Sequence, residues 1–309
     1  FISVLNTPYS ISIAMAIQDC ADDTNRAAWT GAVLACIVNA AGIVNTLIAY
    51  GLLQERIMTV PYGSSDGQVF QYSMFLAFCS RLLAFLLGCI MSLIKKERLG
   101  NQAPLWKYLI IALANLLASV AQYEALKYVS FTVQMLGTSF KMVPVMIWAM
   151  MILRKRYGVS DWVVSMVVTG GVAEFLLAGP IAAPGGDHSS VPGLLWMLVY
   201  IACDSLAPPL QERLMREHRT SRFNQMLYIN LLSCEAAGIF LLSTRTLMPA
   251  LRFCAAHTTL VRDIVLMSSA ATGAQYFMYS QIEACGALVL AATMNVRQLV
   301  SVLISHAAF

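Results

Sequence analysis

The chain has 309 residues, 59% hydrophobic and only 12% charged, where an ordinary soluble domain carries about 25% charged residues. So few polar side chains cannot cover a soluble fold of this length, so a membrane protein is expected. A net charge of +4 without any basic, aromatic-interleaved stretch excludes nucleic acid as a partner.

Within the unassigned N-terminal segment 1–27, residues 1–17 are fairly apolar but contain Asn6 and Pro8 and lack a basic leader, which makes them a poor signal peptide. A truncated helix and a cytosolic amphipathic segment remain equal alternatives for this segment, which is assigned no function. The chain starts at Phe1 rather than Met, as an internal fragment would. Nine apolar runs follow, at 28–53, 69–94, 104–123, 129–152, 160–179, 191–210, 223–243, 263–282 and 287–308. Each is close to the roughly 20 residues that a helix needs to cross a bilayer core. The ninth run reaches the end of the chain, so nine of ten helices are expected here, with the tenth beyond this sequence.

Orientation follows from the lysines and arginines. The connections after runs two, four and six hold eleven: Lys95, Lys96, Arg98, Lys107, Arg154, Lys155, Arg156, Arg213, Arg216, Arg219 and Arg222. The connections after runs one, three, five and seven hold five. The even-numbered connections and the N-terminus are therefore expected in the cytosol. The Pro/Gly-rich segment 180–192 is expected on the other side.

Arg81, Lys141 and Arg297 fall inside apolar runs. A charge at mid-membrane costs about 2.5–3.5 kcal/mol on insertion scales, so it usually faces a cavity, a partner or the interior. Lys141 lies in Gln134-Met-Leu-Gly-Thr-Ser-Phe-Lys-Met-Val-Pro144. Gln134, Thr138 and Lys141 share one helix face. Pro144 is expected to break the helix and release the carbonyl of Phe140. Such a stretch suits a solute site lined by non-ideal helix. The alternative is a simple ion pair with Glu124, Glu174, Asp204 or Glu235. Arg297 shares a face with Met294 and Ser301, and Gln298 flanks it; its guanidinium can grip a phosphate bidentately. Arg81 is assigned neither a structural nor a ligand role. Asp204 precedes Ser205 and Pro208-Pro209 and is read as a cap on a broken helix. Glu174 and Glu235 are read as counter-ions or proton sites.

An order of residues recurs. Ala121-Gln122-Tyr123 and Ala274-Gln275-Tyr276 lie 153 residues apart, and Lys141 and Arg297 lie 156 apart. The offset is five runs, an odd number, so the second copy would be inverted in the membrane. The expected fold is all-α and polytopic. Its first five-helix repeat occupies 28–179 and its second, shortened repeat 193–309. Two mid-membrane cations imply a multiply anionic solute, with Tyr123 or Tyr276 stacking on a base. If both cations stand unpaired in the empty carrier, one anion must be exchanged for another.

The eight cysteines are scattered without a CxxC pair, so no disulfide framework, no metal site and no cofactor are expected. No GxxxxGK[ST], HExxH or GxSxG is present, so neither an ATP-driven pump nor an enzyme is expected.

Four segments carry a resemblance to a known family. They are Gly51-Leu-Leu-Gln-Glu-Arg-Ile-Met58 with Pro61-Tyr-Gly63; Gln122 to Phe131, on through Gln134 and Lys141 to Met146; Ala202-Cys-Asp-Ser205 with Gln211; and Thr293 with Arg297-Gln298. From about residue 28 onward the chain resembles the nucleotide-sugar transporters, most of all the branch that includes transporters of 3′-phosphoadenosine 5′-phosphosulfate (PAPS). The resemblance implies a ten-helix drug/metabolite-transporter fold in a Golgi or endoplasmic reticulum membrane. It implies an antiporter that brings a nucleotide-activated donor into the lumen and returns a nucleoside monophosphate. It also implies that Gln54, Glu55, Lys141 and Arg297 line a nucleotide pocket. Thr138 stands where some relatives carry a second Lys. UDP-sugar or ATP/ADP exchange on the same branch is the alternative, and a proton-coupled exporter of small metabolites is a further one. The partners expected are the bilayer and a nucleotide-type solute; a homodimer is left open.

Overall fold

The computed structural model describes residues 26–62, 69–97, 100–126, 128, 137–178 and 191–308. Most of the 1–27 segment, most of the 180–192 connection and Gln134 lie outside the described residues. The elements are helices: α1 (Arg26–Thr59), α2 (Ser73–Ile94), α3 (Leu105–Leu126), α4 (Met142–Leu153), α5 (Val159–Ala178), α6 (Val191–His218), α7 (Arg222–Ser243), α8 (Leu247–Ala256) and α9 (Thr258–Ala308). Each of α1 to α7 overlaps one of the first seven apolar runs; α1 and α6 extend well past theirs, and α4 covers only the later part of its run. The eighth and ninth runs form α9, which is bent at Gly286. The short α8 occupies a stretch expected to be connection.

Six described helices are long and apolar enough to cross a membrane. Their outer faces carry large apolar side chains, such as Leu198 at 63% exposed and Ile239 at 68%. The interior holds amides: Gln225, Asn230, Gln281, Asn295 and Gln298 are all buried. An apolar outside around a partly polar inside is what a lipid solvent selects, because polar groups must be satisfied within the protein. The chain is an all-α, multi-pass membrane protein.

Internal packing divides the chain into two compact units, each drawing on both halves of the sequence. The first unit comprises Phe1–Ala40, Leu117–Arg213 and Ser280–Phe309; the second comprises Ala41–Leu116 and Leu214–Tyr279. In the first unit α4 packs on the later limb of α9 through Met142, Val145, Ala287 and Ala291. In the second unit α2 packs along α7. Both pairs join apolar runs five apart in the chain.

Connections of the same parity meet. In the second unit the α2–α3 and α6–α7 connections are tied together. Ser221 Oγ donates to Glu97, the Ser221 N–H to Gln102 at 3.0 Å, and Asn224 to the Gly100 carbonyl at 3.1 Å. In the first unit Lys155, between α4 and α5, pairs with Glu212 at the end of α6 at 2.8 Å. Tyr62, after α1, donates to Asp263, which follows α8, at 3.1 Å. Helices that cross in alternating directions require this grouping.

The α2–α7 contact depends on Gly88. A Cβ there would lie 3.0 Å from the Leu227 backbone nitrogen and 3.1 Å from its Cα. Small residues permit such backbone approach between membrane helices. Gly88→Val should destabilise the protein by about 1–3 kcal/mol through overpacking. The readout is a lower melting temperature in detergent, with no loss of expression from a Gly100→Val control, whose site has nothing within 4 Å.

Candidate functional site

Lys141 stands at a break in the helix, although not where Pro144 was expected to make one. The Phe140, Lys141 and Val143 N–H groups bond to carbonyls three residues back, at 3.1, 3.2 and 3.2 Å. Regular α-helix begins at Met142. Pro144 therefore sits in the first turn, where a missing N–H is harmless. The Phe140 carbonyl is taken by Val143 rather than released. The tight turn presents Lys141 at the start of α4.

Its ammonium forms an ion pair with Asp204 of α6. Of the four acids considered from sequence, Asp204 is thus the partner. It does not cap a broken helix, because α6 runs on through Pro208 and Pro209. The two prolines lack N–H groups, so the carbonyls of Asp204 and Ser205 lose their usual helical donors. The side chains of Lys141 and Asp204 remain 19% and 28% exposed, so neither is sealed in. One turn before Asp204, Tyr200 lies in the electrostatic field of both Asp204 and Arg297. The later limb of α9 closes this cluster. Gln298 Nε2 donates to Thr138 Oγ1 at 2.6 Å, and Asn295 donates to the Ser139 carbonyl at 3.3 Å. Among the described residues, the buried Arg297 Nε has no hydrogen-bond partner.

Lys141, Thr138, Arg297 and Gln298 are thus gathered within the first unit, together with Asp204 and Tyr200. The expectation that both cations stand unpaired in the empty carrier fails for Lys141, because a carboxylate on the neighbouring helix reaches it. Tyr123 is on α3, but its side chain is outside the described residues. Gln54 is half-buried and Glu55 exposed near the end of α1, in the second unit. Tyr276, also in the second unit, stacks on Phe223 at 6.0 Å, with the Arg222 guanidinium 5.3 Å from its ring. Glu174 and Glu235 lie on exposed faces of α5 and α7. Arg81 donates to Asn230 at 3.4 Å, and Asn230 donates to Gln275 at 2.8 Å. Its partner is therefore a neutral amide. No group of three His, Cys, Asp or Glu able to hold a metal occurs among the described residues.

The UAA transporter family matches the chain over residues 35–309. The chain belongs to the UAA transporter family. It is 39% identical over 269 residues to UDP-galactose/UDP-glucose transporter 5B of Arabidopsis thaliana, covering 86% of this chain and 78% of that protein. It is 37% identical over 266 residues to adenosine 3′-phospho 5′-phosphosulfate transporter 1 of Dictyostelium discoideum, covering 85% and 74%. The human protein of that name is 32% identical over 272 residues, covering 86% and 62%. As a UAA family member this chain is a transporter and not an enzyme.

Sequence reading missed two carboxylates in this UAA transporter. Glu212, only 3% exposed, pairs with Lys155 and accepts from the Ala287 N–H at 2.8 Å. That N–H opens the limb of α9 after Gly286, where a carboxylate also meets the positive end of the helix dipole. Gly286 has φ +82° and ψ 174°, a conformation essentially reserved for glycine. The signals available were a glycine in the short gap between the eighth and ninth apolar runs and a glutamate close to prolines. Asp263, 1% exposed, gathers Tyr62, Arg56 at 3.6 Å and Arg262 at 3.6 Å. Burial and the Asp263 carboxylate push the Tyr62 phenol up to about 12, so it stays a proton donor at neutral pH. The cysteines also correct the sequence reading: Cys36 of α1 and Cys285 beside the bend form a disulfide in the first unit.

Glu212→Ala leaves the Ala287 N–H and Lys155 without their carboxylate, at a cost of about 1–3 kcal/mol for a buried donor left unsatisfied. Glu212→Gln still accepts from Ala287, so its melting temperature should lie between those of wild type and Glu212→Ala. Gly286→Ala should cost about 1–3 kcal/mol through backbone strain. Thermal unfolding of the three variants in detergent tests this order.

Proposed function

We propose that this UAA transporter is an antiporter for a nucleotide-activated anionic donor, with PAPS as the first candidate. It would carry the donor from the cytosol into the lumen of the Golgi or endoplasmic reticulum and return a nucleoside monophosphate. The observation that carries this reading is the membrane-embedded cluster of Lys141, Asp204, Tyr200 and Arg297, in which the guanidinium Nε of Arg297 has no partner among the described residues. A phosphate or sulfate group supplies the acceptors that a buried guanidinium needs. The exposed portions of Lys141 and Asp204 leave that anion a way to reach the ammonium.

A UDP-hexose is the second reading. The Arabidopsis relative named for UDP-galactose and UDP-glucose, at 39% identity, favours it. Both donors present phosphate oxygens next to a base, and the cluster does not distinguish them. The lysine and arginine bias supports a cytosolic N-terminus and cytosolic even-numbered connections. The recurrence of Gln-Tyr before a mid-membrane cation supports inverted five-helix repeats at 28–179 and 193–309. Exchange rather than free passage follows from Arg297, whose charge is poorly satisfied unless a solute anion is bound.

Purified protein in liposomes preloaded with AMP or UMP should take up labelled PAPS or UDP-galactose faster than unloaded liposomes do. Lys141→Ala and Arg297→Ala should each lower uptake about tenfold or more, the loss expected for one charge-assisted contact. Uptake by both variants at the wild-type rate would show that the solute binds elsewhere. Failure of the wild type to exchange either donor would remove the proposed function.

A further inference from the structure

We infer that Asp204 is a built-in competitor for the solute: its carboxylate occupies Lys141 when no anion is bound and yields the ammonium when one arrives. The inference rests on the reading that Lys141 contacts the solute. It adds a specificity-setting residue that cannot itself attract an anion.

The geometry favours competition over a fixed structural pair. Lys141 and Asp204 come from different elements, the turn before α4 and the middle of α6. Neither side chain is sealed in, at 19% and 28% exposed. The two lysines are alike in exposure, Lys141 at 19% and Lys155 at 21%, but the carboxylates differ: Glu212, which also holds a backbone N–H in place, is 3% exposed, whereas Asp204 is 28% exposed and open to an incoming ion's competition. The backbone next to Asp204 also has room to give. Pro208 and Pro209 remove the donors for the carbonyls of Asp204 and Ser205, and prolines are where helices bend. Tyr200 links the two groups, since it lies in the electrostatic field of both Asp204 and Arg297. A phosphate or sulfate arriving at Arg297 therefore meets a negative carboxylate nearby and a lysine already neutralised. It must displace the one to engage the other.

Two consequences follow. Affinity for any phosphate-type anion is held below what the two cations could give, which permits release on the far side. Discrimination against weakly charged solutes is raised, because only a strong anion outcompetes a carboxylate already in place.

The test uses the full chain in detergent, with pyrophosphate, PAPS and UDP-galactose as probes and thermal shift as readout. Asp204→Asn should lower the half-saturating concentration of the probes roughly five- to tenfold, a coupling typical of charges in direct contact. The gain should vanish in Lys141→Gln/Asp204→Asn, because the released ammonium is its source. In liposomes, Asp204→Asn should show a lower KM and a slower maximal exchange. Unchanged or weaker binding by Asp204→Asn would overturn the inference, as would a gain that survives Lys141→Gln. If Asp204→Asn does not fold, Asp204→Glu replaces it: wild-type affinity is expected from the retained carboxylate, and a fivefold gain would overturn the inference. Pyrophosphate carries no nucleoside. A wild type that binds it but neither donor would refute the proposed substrate class while leaving the competition at Lys141 measurable.

Discussion

A charge inside a bilayer has no water to hydrate it, and the placement of Lys141 answers that constraint before any other. An ammonium is compact and strongly hydrated, so it loses most when buried. Asp204 supplies its anion from α6. Once that pair is fixed, the turn before α4 must lie against α6. Gln298 and Asn295 then bond to Thr138 and to the Ser139 carbonyl, which sets the later limb of α9 against the same turn. Three elements of the first unit thus converge on one cation. The apolar contacts of Met142 and Val145 with Ala287 and Ala291 fill the space behind it. Those contacts alone would not fix the register, because lipid tails are as apolar as the residues they would replace.

The same accounting explains the bend in α9. A helix interrupted within a membrane exposes N–H groups that lipid cannot satisfy. Gly286 makes the bend conformationally accessible, and Glu212 satisfies the first N–H beyond it. A buried carboxylate is itself costly, and Lys155 offsets it. In the second unit Asp263 plays a comparable part for Tyr62 and Arg56. Each conserves hydrogen bonding where the chain turns, and each joins connections of the same parity.

Much of the helix order was legible in the sequence, because a bilayer imposes length and apolarity on each crossing and interrupts them with polar residues. The connection at α8 was not, since Leu247–Ala256 is short and amphipathic and reads as loop next to Arg245 and Arg252. The break near Lys141 was placed a turn too late, at Pro144. Proline disrupts a helix interior but not a first turn, and sequence alone does not say which turn it occupies. The candidate cluster, whose role is a proposal, was half legible. Lys141 and Arg297 stood out because charge inside an apolar run is rare. Asp204 appeared among four acids, and choosing it required the crossing of α6 beside α4. Glu212 escaped notice because a glutamate near Arg213 at the end of a helix looks solvated. Cys36 and Cys285 are 249 residues apart, and no spacing rule connects them.

Which of the two cations goes without a carboxylate is itself informative. A guanidinium spreads its charge over a plane and is more weakly hydrated than an ammonium, so an incompletely satisfied arginine costs less than an incompletely satisfied lysine. The cluster follows that order: Asp204 goes to Lys141, while Arg297 acts on Tyr200 and its Nε has no partner among the described residues. The empty carrier is therefore less penalised than one with two bare cations. The proposed exchange would then depend on how poorly Arg297 is satisfied, not on the total positive charge in the membrane. Under the proposed exchange, a carrier built this way would tolerate an empty state for long enough to release one anion, and would still gain more from rebinding an anion than from reorienting empty. On the proposed mechanism, that balance between release and coupling sits with the Asp204 carboxylate and the Arg297 guanidinium, both of which act on Tyr200.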